Sequence, residues 1–127
     1  MEKPKKTCYE DQDDVWRRAS CQLKRLVGDE PCVKEAYVWA SLAEGQFGVY
    51  EREYQGRPGS DIDLVIVLDE SCPVPEEWEY RNVEKSCFRL YGLGDFVYMG
   101  RRHPIDGLLV FPSRHDVQQA YRMIEGR

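Results

Sequence analysis

Between Asp11 and Val27 apolar residues recur at three- and four-residue intervals. Val15, Ala19, Leu23 and Leu26 form one stripe, and Trp16 and Val27 widen it. That period predicts an amphipathic helix. Asp11, Asp13 and Asp14 stand where the helix dipole favours negative charge, and Gly28 and Pro31 close the segment. Arg17, Arg18, Lys24 and Arg25 fall mostly off the stripe and read as a solvated basic face. Residues 1–10 read as a flexible N-terminal tail. Val33 to Ala40 predicts a first strand, with Tyr37, Val38 and Trp39 in its second half. Ser41-Leu42-Ala43-Glu44 has the S-x-x-E form of a capping box and predicts a short helix, cut off by Gly45 and Gly48. From Phe47 to Arg57 the pattern fits either a long loop or a small hairpin. The aromatics Phe47, Tyr50 and Tyr54 suggest that it folds against something.

Pro58 and Gly59 then break the chain, and the apolar, β-branched run from Ile62 to Leu68 predicts the central strand. After Pro73 and Pro75, Trp78, Val83, Cys87 and Leu90 predict a second long helix over Glu76 to Leu90, ended by Gly92 and Gly94. Asp95 to Met99 predicts a short strand, Gly100-Arg101-Arg102 a turn, and His103 to Phe111 a fourth strand ended by Pro112. Ser113 is placed to cap a last helix, Arg114 to Ile124. Strands and helices interleave and a hairpin closes the sheet. The expected fold class is α/β (α+β): one domain over residues 11–127, a mixed sheet with helices packed on one face, and the other face open for a site.

Composition narrows the reading. A chain of 127 residues with 42% hydrophobic and 32% charged content suits one globular domain rather than a disordered segment. Its longest apolar run, Leu64 to Leu68, is too short to span a bilayer. The first residues have no apolar segment behind them, so no secretory signal is expected and the location expected is cytoplasmic. A net charge of −5 argues against a general, charge-driven nucleic-acid binder. It leaves room for a nucleotide pocket in which a metal neutralises phosphates. The five cysteines (Cys8, Cys21, Cys32, Cys72 and Cys87) contain no CxxC pair, which argues against zinc. Their odd number and the cytoplasmic reading predict mostly free thiols, an isolated disulfide being the exception known from hyperthermophiles.

The candidate chemistry lies in three aspartates. Asp61 and Asp63 open the central strand two residues apart, so both side chains point to one side, about 6.5–7 Å apart along the strand. Asp106 interrupts an otherwise apolar strand, where an unpaired buried carboxylate is costly. Gly107 beside it leaves space for a close approach. An edge-strand position facing water, or pairing of Asp106 with Arg101 or Arg102, is one explanation. The other is that its strand lies beside the Asp61 strand, so that three carboxylates gather on one face. Like charges so close call for a cation between them. Oxygen ligands suit magnesium, with manganese as the alternative ion. Such a cluster suits phosphoryl or nucleotidyl transfer with two metals.

Ser60-Asp61-Ile62-Asp63-Leu64, with turn residues before it and an apolar strand after it, resembles the central motif of the minimal nucleotidyltransferases of the DNA polymerase beta superfamily. His103-Pro104-Ile105-Asp106 resembles that family's later strand, which supplies a third acidic residue. The resemblance extends over roughly residues 12–125 and implies a palm-like domain that moves a nucleoside monophosphate, AMP in many members, from a nucleoside triphosphate to an acceptor. It implies Asp61, Asp63 and Asp106 as catalytic metal ligands, and Ser41, Ala40 and Ser60 around the nucleotide. It also implies a partner: a helical protein of the HEPN type, which such enzymes modify as antitoxins, or a second copy of the chain.

The chain departs from the family around its first motif. Ala40-Ser41 stands where the family has Gly-Ser, Glu44 stands near the place of a common arginine, and 19 residues separate Ser41 from Asp61. A catalytically weakened domain of the same fold, binding nucleotide or a partner without transfer, is the alternative reading.

Overall fold

Strands dominate the part of the chain described by the computed structural model, residues 3–54, 56–69, 71–81 and 89–110. In order they are β1 (Lys6–Cys8), α1 (Gln12–Leu23), β2 (Val33–Trp39), β3 (Gly48–Tyr54), β4 (Arg57–Gly59), β5 (Ile62–Leu68), β6 (Glu79–Arg81), β7 (Arg89–Tyr98) and β8 (Arg101–Val110). β5 is the axis. Its alternation puts Ile62, Leu64, Ile66 and Leu68 on one face, in the cluster of α1, and Val65 and Val67 on the other. The helix begins at Asp11, whose carboxylate accepts the Asp14 N–H at 2.9 Å. It buries Val15, Ala19 and Leu23 and continues into a π-helical turn, Lys24–Gly28, that buries Val27. Trp16, expected to widen the buried stripe, is 45% exposed; one residue on from Val15, it is turned a further ~100° around the helix.

Five strands form a mixed sheet in the order β2-β5-β8-β7-β6. β5 and β8 run parallel, and the other neighbours are antiparallel. The fold is thus α+β with its helix against one face, as expected. In a second sheet, β1-β3-β4, the stretch from Phe47 that fits either a loop or a hairpin is a hairpin of β3 and β4, and β1 pairs with β3 on its other side. Phe47 anchors it from the core, 4.5 Å from the His103 ring, while Tyr50 and Tyr54 meet edge to face at 6.0 Å.

Several expectations are corrected. Residues 6–8, assigned to a flexible tail, are β1, paired with β3 through Lys6 and Tyr50. Ser41 to Glu44 forms turns and no helix: the Glu44 N–H donates to the Ala40 carbonyl at 2.9 Å and the Gln46 N–H to that of Ser41 at 2.9 Å. The helix expected over Glu76 to Leu90 is β6 at Glu79–Arg81 and already β7 at Arg89; residues 82–88 lie outside the described residues. Gly92 and Gly94, taken as helix stops, sit inside β7, where the register shifts between them and Gly94 has φ 117°, a bulge that suits glycine. Finally, Cys32 and Cys72 form a disulfide with Cα atoms 5.9 Å apart. Val33 pairs with Leu68, the Asp69 N–H donates to the Cys32 carbonyl and the Cys72 N–H to the Asp69 carbonyl, so the turn after β5 returns Cys72 to Cys32, a proximity that sequence spacing does not reveal. Among the described residues Cys8 and Cys21 are free. The expected helix Arg114 to Ile124 lies outside the described residues. No helix among those described is long and apolar enough to cross a membrane.

Candidate functional site

Asp63 on β5 stands directly opposite Asp106 on β8 in the parallel ladder, and Asp61 precedes Asp63 on the same side. One carboxylate oxygen from each of the three lies within 4.8 Å of the others. The flanking residues Ile62, Leu64 and Ile105 point into the α1 cluster, so the carboxylates face away from the helix. β2 ends beside them, with Trp39 opposite Asp63. The open cleft lined by Thr7, Tyr9, Asp14, Arg18, Val97 and Met99, about 690 Å³, contains none of the three; the chemistry marks the site better than concavity does.

Burial governs the electrostatics. The side chains of Asp61 and Asp106 are 8% and 6% exposed. Desolvation pushes the carboxyl of Asp61 up to about 6, against the pull of Arg57, and that of Asp63 up to about 7, with Asp61 and Asp106 adding repulsion. Asp106 is raised for the same first reason, opposed by Arg81 and then Arg57. Oδ1 of Asp61 is buried with no hydrogen-bond partner. A donor set made only of carboxylate oxygens, one of them orphaned, fits a hard divalent cation such as magnesium or manganese.

Two arginines already meet these carboxylates. Arg57 on β4 pairs through Nη1 with Oδ2 of Asp61, and its Nη2 is 4.0 Å from Oδ2 of Asp106. Arg81 on β6 donates from Nη1 to Oδ1 of Asp106 at 3.0 Å. Sequence reasoning offered Arg101 and Arg102 for Asp106 and missed Arg81. Arg102 instead approaches Asp95, at 3.8 Å. Arg81 reaches Asp106 by crossing Gly92, where an added Cβ would stand 2.6 Å from its Nη2. The signal in the sequence is a glycine that turns out to lie within a strand and not at a helix end. Gly107, expected to leave room for a ligand, faces the core instead: a Cβ there would meet Ile66 and Leu93 at 2.7 and 2.9 Å.

The expected nucleotide-contacting residues divide. Ala40 and Ser41 leave β2 immediately after Trp39, at the sheet end that carries Asp63. Ala40 has φ 62°, a conformation in which a Cβ is costly. Ser60 is buried and occupied internally: its hydroxyl accepts the Gly48 N–H at 3.1 Å, and its N–H donates to the Gly48 carbonyl at 2.9 Å. Its carbonyl accepts from Nδ1–H of His103 at 2.8 Å. The His103 Nε2 accepts the Tyr9 hydroxyl at 2.8 Å. Both ring nitrogens of this fully buried imidazole are therefore satisfied in its neutral form, and burial lowers its pKa. Ser60 and His103 thus hold the strand start that presents Asp61.

No protein-family model matches the chain, and no curated protein matches it. Among solved structures it is similar to Cid1 poly(U) polymerase, with 13% identity and a TM-score of 0.45. It is also similar to Cid1 in complex with the UTP analogue UMPNPP, with 14% identity and a TM-score of 0.44, and with its short product ApU, with 14% and 0.45. Each match covers 93% of this chain and 36% of the other, so the chain spans about a third of the length of those structures.

Proposed function

We propose that this chain is a metal-dependent nucleotidyltransferase of the polymerase beta superfamily, of the minimal kind, that moves a nucleoside monophosphate from a nucleoside triphosphate to an acceptor. The observation that carries this reading is the gathering of Asp61, Asp63 and Asp106 within 4.8 Å, with one buried oxygen left without a partner. Asp61 and Asp63 would hold magnesium or manganese, and Asp106 would share the ions or take up the proton of the attacking hydroxyl as pyrophosphate leaves. Ions held there would neutralise phosphate charge. The Ala40-Ser41 turn lies against the triphosphate. AMP as the transferred group, a HEPN-type helical protein or a second copy of this chain as acceptor or partner, and a cytoplasmic location follow the motif resemblance.

One observation favours a second reading. Arg57 and Arg81 occupy two of the three carboxylates, as they would in a domain that binds nucleotide or a partner without transfer. Incubation with each α-labelled nucleoside triphosphate, magnesium or manganese, and an acceptor set that includes the protein itself separates the two. Labelling that vanishes in Asp63→Asn supports transfer. Metal-dependent nucleotide binding with no labelled product supports the second reading.

A further inference from the structure

The arginines that argue against catalysis have a geometry that suits them to serve it. Arg57 reaches the carboxylates from β4 and Arg81 from β6, each on a long side chain about 40% exposed. Both side chains are long and partly exposed, so the head of each can turn from the carboxylates toward solvent without any strand moving. Arg81 has a clear path across Gly92. The pairing they make is incomplete: the Asp61 side chain is more than nine-tenths buried, yet its Oδ1 has no partner. Two guanidinium groups thus fail to satisfy a pocket of three carboxylates.

Resting on the nucleotidyltransferase reading, we propose that Arg57 and Arg81 alternate between two anions: they pair with Asp61 and Asp106, and they hold the phosphate chain of the nucleotide when a divalent cation takes those carboxylates. Formal charge favours the exchange. Three carboxylates and two guanidiniums sum to −1, which repels a polyphosphate, and one divalent cation makes the sum +1, which attracts it. The cation also removes the acceptors that held the two guanidiniums, so they become donors without partners beside the place where phosphate arrives. The planar fork of arginine matches phosphate oxygens as well as it matches a carboxylate. Cation and phosphate therefore bind in order. Each arginine competes with the first ligand and recruits the second.

That opposition is the test. Mn2+ binding to the unmutated protein, Arg57→Ala, Arg81→Ala and Arg81→Lys is followed by the electron paramagnetic resonance of the free ion. The Mn2+-saturated proteins are then titrated calorimetrically with inorganic tripolyphosphate, a probe that carries no base. The alanine variants are expected to bind Mn2+ at least about threefold more tightly and tripolyphosphate about tenfold more weakly. Arg81→Lys keeps the charge and loses the fork, so it should stay near the unmutated protein for Mn2+ and fall between for tripolyphosphate. Affinities that change in the same direction, or an unchanged tripolyphosphate affinity, overturn the inference and leave the metal site standing. Absence of Mn2+ binding in all four proteins overturns the metal-site reading and this inference with it.

Discussion

Arg81 lies across Gly92 on its way to Asp106, close enough that a methyl group on the glycine would stand 2.6 Å from Nη2. The obstacle would meet the far end of a flexible side chain rather than backbone. Gly92→Ala should therefore cost less than about 1 kcal/mol of stability while breaking the Arg81–Asp106 pair; it should share the tighter Mn2+ binding of Arg81→Ala but keep the tripolyphosphate affinity, because the guanidinium is displaced and not removed. Gly48→Ala is the contrasting variant. Its Cβ would sit 2.2 Å from the Thr7 carbonyl oxygen, so β1 must move. A loss of more than about 2 kcal/mol in urea denaturation is expected.

Ala40 bears a Cβ at φ 62°. Ala40→Gly relieves the left-handed penalty but adds chain entropy to the unfolded state, for a net gain of up to about 1 kcal/mol. Ala40→Val should lose about 1–2 kcal/mol, because branching at Cβ worsens the same clash. Urea midpoints of the two variants check both signs.

The carboxylates should reverse the usual pH response. Asp61 and Asp63 titrate at about 6 and about 7 when folded, against 3.8 when unfolded. Between those values the folded chain holds more protons. The contribution is therefore complete below the unfolded value and is lost as pH rises through the folded ones. His103 acts oppositely: its lowered pKa means that stability falls as pH drops below the ordinary histidine value of about 6.5. Urea midpoints in EDTA should decline less from pH 6.5 to pH 8 in Asp63→Asn than in the unmutated protein. Excess magnesium should cancel the decline, since the cation favours the charged carboxylates.

Tyr9 joins the N-terminal stretch to the core through the His103 Nε2. Tyr9→Phe leaves a buried acceptor without a donor and should cost about 1–2 kcal/mol. Faster amide exchange at β1 and at Gly48 would show that the loss is transmitted through Ser60, whose carbonyl accepts from the same histidine and whose hydroxyl and N–H bond to Gly48. Unchanged stability and exchange would remove the triad Tyr9–His103–Ser60 from the account of how Asp61 is held.

Much of this was readable along the chain, and the reasons differ by element. α1 announces itself by an apolar stripe at helical period, and β2, β5 and β8 by apolar, β-branched or aromatic runs that the sheet packs on both faces. The meeting of Asp61, Asp63 and Asp106 was legible because a carboxylate inside the apolar run of β8 demands a nearby explanation. β6 and β7 were not legible. Trp78, Val83, Cys87 and Leu90 happen to fall at helical spacing, and the glycines at 92 and 94 that look like terminators are there for an arginine and a bulge. Arg81 was invisible for the same reason, since its task exists only once β6 pairs with β7. The cysteine pair, likewise, depends on the Val33–Leu68 register.

The parallel alignment of β5 with β8 also sets the order in which the molecule can assemble. Asp63 and Asp106 are more than forty residues apart in the chain, and β8 reaches β5 only with β7 and β6 arranged on its far side. Such a long loop closes late in a folding reaction. The carboxylate pocket is therefore expected to form after the transition state. An ion bound there should lengthen the lifetime of the native molecule and leave its rate of formation unchanged.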